Sequence, residues 1–546
     1  MDSAPATLAG MLAQAPQQAV AVSFDGTQLS YAQLREQVGR VAASLQRLGL
    51  RQGDVLGIWL PNTPRWLVLH LACASLGIAS LSLNLKLGVQ ELVGFIDRAR
   101  CKALAFDGAL ALPAQGAQLL QQVWQQHAGS IGLLVDASRD AGAGVGAGAA
   151  LAARPMPRFA RWDDLLHAVA GAAADAADAA DASAPARRPC IILSSSGTTS
   201  LPKLIVHSQS NVALHARDAA RGFGVERGCG TLLALPLCGA FGYTAAMMTL
   251  AAGARLALHE VFDPVAAAHA LEREPITHMF GTNDMVDKLI APLAPGWRPQ
   301  ALRFFGHANF VPGLDGLPAR AQALGIPMVG CFGMSEILAL FAHQDPAAPL
   351  PRRAQSGGFA VSPAVQVRAR VPETGALAAP MEPGELEFRG PYMLQEYLGN
   401  PEATAQAFTA DGFLRSGDLG YLNGDGGFTH VARLGDVLRL GGFLVNPAEI
   451  EEAVLQHTGA EACQVVAVNA AGSSRPVAFV VPAQGRAIDA EAVKARLQRQ
   501  IARYKVPIRI FSVENFPYTM GPNGRKVKRN ELRETAQSWL AREGMQ

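Results

Sequence analysis

The chain is short of cysteine, of any excess of one charge, and of long uninterrupted apolar runs. Its seven cysteines (Cys73, Cys101, Cys190, Cys229, Cys238, Cys331 and Cys463) are scattered, and none forms a Cys-x-x-Cys pair. An odd, dispersed set argues against a disulfide framework or a structural zinc site. Lys and Arg number 47 against 45 Asp and Glu. Such a balance creates no field that would make nucleic acid or an anionic membrane the main partner, although a nucleotide needs only a local positive site. The most apolar stretch, Val55 to Leu83, contains Pro61, Arg65 and His70 and makes a poor membrane span. Met1-Asp2-Ser3-Ala4-Pro5 has no basic segment leading into an apolar run. A soluble cytoplasmic protein is expected.

What is present is material for large cores: 546 residues, 49% of them hydrophobic. That length suggests about three or four domains or subdomains. Ser30 to Leu48 carries apolar residues at three- and four-residue spacing, with Ser30 and Gln33 as a capping box and Gly49 as a stop. Val55–Leu60, a helix from Pro64 to Leu76, and Ile78–Leu83 then read as strand, helix, strand, the mark of a parallel sheet covered by helices. The pattern resumes with strands at Thr231–Leu235, Arg255–Leu258, Ile276–Phe280, Leu302–Gly306 and Met328–Phe332, and helices at Tyr243–Ala252 and Asn283–Leu289. From Val367 to Arg389 the period turns toward two, which suggests an antiparallel sheet or barrel. The last hundred or so residues read as a small α/β unit: a capped helix from Asn446-Pro447, strands at Gln464–Val468 and Val477–Val481, and a helix over Ala490–Tyr504. The Gly/Ala-rich stretch 141–153 and the Ala-Ala-Asp repeat of 172–182 lack the side chains to fill a core, so 139–188 reads as a surface insertion, with Trp162 and Leu165-Leu166 able to pack on the body.

The richest stretch for chemistry is Ile191 to Lys203. An apolar run breaks into Ser194-Ser195-Ser196-Gly197-Thr198-Thr199-Ser200 and ends at Pro202-Lys203. Small residues let a loop wrap an anion, hydroxyls and backbone N–H groups donate to it, and a lysine adds fixed charge. It lacks the Gly-Lys-Ser/Thr ending of the common P-loop. Taken alone it would be a surface turn, but further segments follow in order. Phe332-Gly333-Met334-Ser335-Glu336 leaves a strand and ends in a carboxylate suited to Mg²⁺. Ser416-Gly417-Asp418 offers an acid that could accept ribose hydroxyls. Arg433 to Glu451 holds a charged turn, the Gly441-Gly442 pair and the capped helix, and Thr519 to Arg529 is a glycine-rich basic turn.

The order and spacing of these segments resemble the acyl-adenylate-forming superfamily, over about Ser30 to Arg533. The resemblance implies an α/β fold: a large N-terminal AMP-binding domain, 1–434, of parallel-type α/β sheets plus a small β-barrel-like subdomain, then a small mobile α+β C-terminal domain, 435–546. It implies that a carboxylate attacks ATP to give acyl-AMP and pyrophosphate, and that a thiol, usually coenzyme A, then displaces AMP. Ser195, Ser196, Gly197, Thr198, Thr199 and Lys203 would hold the β- and γ-phosphates. Glu336, with Thr198, would bind Mg²⁺, and Ser335 would lie near the α-phosphate. Asp418 and Arg433 would hold the ribose, with Phe332 and Ala308 on either side of the adenine. Lys526 would stabilise the adenylation transition state, and rotation near Gly435 would then exchange it for the Gly441-Gly442 turn beside the pantetheine arm.

Phe241, Gly306, His307, Gly333, Met334 and Leu338 would line the acid pocket, although His307 reads equally as a turn histidine. Asp284 is the one acid left for an amino acid's ammonium, so an apolar acid, fatty or aromatic, is expected. The chain departs from the family pattern at Ser200, Leu204 and Gly435, and by an extra residue in Gly524-Arg525-Lys526, which leaves Lys528 as the alternative lysine. A carboxylic acid–CoA ligase is the leading reading, as monomer or homodimer. Loading of a separate acyl carrier protein, or non-catalytic nucleotide and acid binding, are the alternatives.

Overall fold

The computed structural model describes residues 7–108, 131–139, 158–167, 185–194, 202–294, 296–310, 314, 316–440, 443–470, 473–483, 487–521 and 524–542. The stretches 141–153 and 172–182, residues 195–201 of the expected phosphate loop and the Gly441-Gly442 pair lie outside them. Two large sheets carry most of the rest. An 8-stranded sheet runs in the order Glu396–Tyr397, Leu204–Ser208, Pro189–Ser194, Ala79–Ser82, Val55–Trp59, Ala103–Phe106, Leu133–Asp136, Arg158–Arg161. Its central strands are parallel and buried on both faces, so they read as unbroken apolar runs. Pro189–Ser194 and Leu204–Ser208 pair antiparallel, and their last pair, Ser194 with Leu204, brings together the two ends of the expected phosphate loop.

The second sheet has 13 strands. Its parallel part contains Val20–Phe24, Arg255–Leu258, Gly230–Leu233, His278–Thr282, Phe304–Ala308 and Met328–Phe332. The antiparallel pattern expected from Val367 onward appears as Gln366–Arg370 against Gly384–Arg389, continued by Leu414–Leu422 and Phe428–Arg433. These strands join the parallel part through Gly357–Ala360 and the short strand Ala342–His343, so the two regions share one continuous ladder.

Two helices fill the space between the sheets. Trp66 to Ala74 of the helix Pro64–Ser75 is buried throughout, as is Phe241 to Leu250 of Ala240–Ala251. Helices apolar on every side are placed between layers for that reason. The second begins earlier than its periodicity suggests, because Gly242 lets the first turn press on the chain before it: an added Cβ would lie 2.3 Å from the Pro236 carbonyl oxygen. His70, buried here, bridges Ser80 Oγ at 3.1 Å and the Tyr243 hydroxyl at 2.9 Å, which offsets its desolvation. Of the 139–188 stretch, Arg158–Arg161 forms the sheet's edge strand and Trp162–Leu166 a short helix docked by Ser44, whose hydroxyl donates to the Leu165 carbonyl at 2.8 Å.

Beyond Leu438 the chain builds cores of its own. Ala462–Ala470 and Ser473–Val481 form a long antiparallel pair, with Arg509–Ser512 added parallel. Side chains alternate across a strand. Cys463, Val465, Ala478 and Val480 therefore face the helices Pro447–Thr458 and Ala490–Gln500. Val466, Val468, Val477 and Phe479 face Arg529–Arg542 on the other side. The helix expected to reach Tyr504 stops at Gln500, where Ile501 turns extended and its N–H caps on Leu497. Glu451 is buried, accepts the Val465 N–H at 2.8 Å and pairs with Arg529 at 2.8 Å, tying the first helix to the last. All seven cysteines are buried and unpaired. Among the described residues no helix is long and apolar enough to cross a membrane.

Candidate active site

The strand Met328–Phe332 ends in a turn that folds back on itself. The Phe341 N–H donates to the Phe332 carbonyl at 3.0 Å and closes it. Gly333 is required there: a Cβ would meet Ala339 Cα at 2.7 Å. Within the turn Leu338 and Leu340 hold left-handed backbone, φ 59° and 64°, although both carry large side chains. Such conformations persist only where packing over-determines them, and both leucines are buried. The turn presents Glu336, 9% exposed, on a short helix Ser335–Ile337. It is pinned from two sides: His207 Nε2–H donates to the Ser335 carbonyl at 2.7 Å, and the Leu394 N–H to the Glu336 carbonyl at 2.7 Å. Burial holds His207 down at about 4, so the imidazole stays neutral.

Lys203 and Glu336, brought from different sheets, meet at Tyr397. The Tyr397 hydroxyl donates to Glu336 Oε1 at 3.0 Å. The Lys203 ammonium lies 4.3 Å from the centre of the same ring. The residue before the lysine is anchored too, since Arg98 donates to the Pro202 carbonyl at 2.7 Å. Nothing in the sequence marked Tyr397 or His207 as part of this group; their partners are 61 and 128 residues away.

The third cluster forms where Leu414–Leu422 pairs with Phe428–Arg433. Asp418 and Arg433 are cross-strand partners. Asp418 is 3% exposed, and its Oδ1 lies 3.2 Å from Arg433 Nε and 3.6 Å from His430 Nε2. Arg433 also donates to the Ser416 carbonyl at 2.9 Å, and the Gly417 N–H to Glu385 at 3.1 Å, a carboxyl whose pKa burial raises. The His430 ring lies 5.3 Å from that of Phe332, so the acid, the arginine and the expected adenine platform are contiguous. Phe332 packs further on Phe388 and Phe428 at 5.4 and 5.2 Å. His430 escaped the sequence reading because a register shift between Leu419 and Gly420 breaks the simple alternation that would have placed it. Ala308 ends the strand beside Phe332's own.

Of the expected pocket residues, Phe241 and Gly306 converge on Phe280. Phe241 meets that ring edge-on at 6.4 Å, and a Cβ on Gly306 would touch it at 2.5 Å. Met334 and Leu338 line the buried side of the turn. His307 is not brought to this face. As Gly306's neighbour it points to the opposite side of the strand, toward the carbonyls of Val329 and Ala354, and burial lowers its pKa to about 4. Asp284 already pairs with Lys288 at 2.9 Å.

Lys526 lies on the strand Gly524–Val527, opposite Thr519. Lys528 pairs with Glu531 at 2.7 Å. Gly435 is exposed and a Cβ there would meet nothing within 4 Å.

A lysine and a buried glutamate at strand ends of two sheets, and an acid–arginine pair across two strands, make up these clusters, and similarity to known proteins gives the class. Residues 11–398 match the family model of AMP-binding enzymes, and residues 449–520 that of the AMP-binding enzyme C-terminal domain. The chain belongs to the AMP-binding enzymes, the acyl-adenylate-forming superfamily that its motifs resemble. It is 30% identical over 522 residues to the feruloyl-CoA synthase of an Amycolatopsis species, covering 94% of this chain and 95% of that one. It is 32% identical over 350 residues to the 2-succinylbenzoate–CoA ligase of Geobacillus kaustophilus (strain HTA426), covering 63% and 68%. The crystal structure of ATP-bound MatB from Rhodopseudomonas palustris superposes with a TM-score of 0.76 at 26% identity, covering 97% of this chain and 99% of that one.

Proposed function

We propose that this chain is an AMP-forming carboxylic acid–CoA ligase that converts an apolar acid to its acyl-AMP and then to the CoA thioester. The observation that carries the reading is the joining of Lys203 to Glu336 through Tyr397, which sets a cation and a carboxylate at the two sheet ends beside Asp418 and Arg433. Joining a carboxylate to ATP brings two anions together, so the site must supply fixed positive charge and hold the leaving pyrophosphate. Lys203 takes that role with the loop Ser195 to Thr199. Asp418 accepts the ribose hydroxyls beside Arg433 and His430, and Phe332, His430 and Ala308 flank the base. Lys526, carried by the C-terminal unit from about Gly435 onward, faces the α-phosphate as the carboxylate oxygen bonds to phosphorus and the bond to pyrophosphate breaks. The hinge then brings the Gly441-Gly442 turn to the thiol.

Glu336 fits Mg²⁺. It is an anionic oxygen donor, one oxygen is committed to Tyr397, and the other accepts no hydrogen bond among the described residues. No group of three or more His, Cys, Asp or Glu could hold a metal among the described residues, and Mg²⁺ commonly takes one carboxylate plus substrate phosphates. When bound, the metal would neutralise charge on the phosphates. The acid is aromatic or fatty: Phe241, Phe280, Met334 and Leu338 are apolar, and Asp284 is spent on Lys288. Seven buried, unpaired thiols suit the reducing cytoplasm.

The test is pyrophosphate release across ferulate, benzoate, 2-succinylbenzoate and octanoate, with CoA-dependent AMP release measured alongside. Both products with at least one acid are expected. Release with none refutes the enzyme, and pyrophosphate without thioester moves the acceptor to a carrier protein.

A further inference from the structure

We propose that Tyr397 is a positioning residue that couples the phosphate-loop lysine to the metal-binding glutamate, its ring orienting Lys203 and its hydroxyl fixing one oxygen of Glu336. The inference rests on the nucleotide reading above. Tyr397 sits on Glu396–Tyr397, an edge strand paired antiparallel with Leu204–Ser208, opposite Ile205 and close behind the lysine. The segment is clasped to that strand by the Leu398 N–H on the Leu204 carbonyl and the Gln395 N–H on the Val206 carbonyl, both at 2.8 Å. Its other end, Leu394, donates to the Glu336 carbonyl at 2.7 Å. One short segment is therefore bonded to the phosphate-loop strand of one sheet and to the glutamate turn of the other. The side chain repeats that connection, with Lys203 on the ring at 4.3 Å and Glu336 on the hydroxyl at 3.0 Å.

A tyrosine kept only for packing would not spend its hydroxyl on a carboxylate. This phenol is 5% exposed, and its hydroxyl donates to Glu336 Oε1. Holding Oε1 stops the carboxylate from rotating and leaves Oε2 for the cation. Loss of a hydrogen bond that orients a metal ligand costs about tenfold or more in metal affinity. Loss of the ring as well removes one contact that orients the lysine before phosphate arrives.

The experiment measures ATP binding to the full chain by calorimetry, first in EDTA and then through a Mg²⁺ titration at fixed ATP. Tyr397→Phe keeps the ring. It should leave the EDTA affinity within about twofold of wild type and raise the Mg²⁺ midpoint about tenfold. Tyr397→Leu should add a loss of roughly three- to fivefold in EDTA. In a Glu336→Gln background, Tyr397→Phe should no longer move the Mg²⁺ midpoint, because the coupling partner is gone. An unchanged midpoint in Tyr397→Phe, or a shift that survives in Glu336→Gln, overturns the coupling while leaving the nucleotide site intact. Failure of the wild type to bind ATP overturns the nucleotide reading and this inference with it.

Discussion

Replacing Asp418 with Asn changes one charge and almost no volume, so it isolates the proposed contact with ribose. The carboxylate is 3% exposed and faces Arg433 and His430 at 3.2 and 3.6 Å. It accepts from both ribose hydroxyls in the proposed complex. Hydrogen bonds to a charged acceptor are worth about 1.5–3 kcal/mol each and neutral ones about 0.5–1.5, and the Asn amide would turn a donor toward one hydroxyl. The combined loss is about 2–4 kcal/mol, or roughly thirtyfold to several hundredfold in ATP affinity. The fold should notice little. Arg433 is 46% exposed and stays solvated when its partner goes, so the stability cost is about 1 kcal/mol or less. The assay is calorimetric binding of ATP and of 2′,3′-dideoxy-ATP to both proteins. Wild type should lose comparable affinity when the hydroxyls are deleted, and Asp418→Asn should be nearly indifferent to them. An Asn variant that binds ATP as wild type does, or that keeps the wild-type ratio between the two nucleotides, would refute the assignment.

The remaining predictions concern catalysis, acid stability and packing. Lys526→Ala should lower adenylation about a hundredfold or more yet keep thioester formation from supplied acyl-AMP; equal loss of both half-reactions counts against the role. Burial pushes His70 and His215 down to about 3, and His207, His278 and His307 to about 4, from the ordinary 6.5. Between those values the unfolded chain binds more protons than the folded one, so stability is full above about pH 6.5 and falls as the pH drops toward 4, by about 2 kcal/mol per histidine at pH 5. Urea midpoints should fall accordingly, and a flat profile from about pH 7.5 to 5 would contradict it. Gly306→Ala sets a Cβ 2.5 Å from the Phe280 ring and 3.0 Å from Cys331 Sγ, so it should destabilise by about 1–3 kcal/mol in the same assay. A midpoint equal to wild type would mean that the ring yields freely.

Parallel strands buried on both faces are written as unbroken apolar runs, so Arg255–Leu258 and Met328–Phe332 fall at the residues expected. Capping chemistry is local, and Ser30 with Gln33 closes its box as read, while Asn446 caps its helix. The order of the motifs was legible because each is a contiguous turn. Tertiary packing sets which side chains serve those turns from elsewhere. Tyr397 gains its meaning from strand pairing with the stretch after Lys203 and from contact with Glu336. His430 reaches Asp418 across a register shift, and His307 turns away from the pocket because strand parity assigns it to the face opposite Gly306. Which distant segments pair depends on sheet order, and the local alternation that helps set register does not specify it.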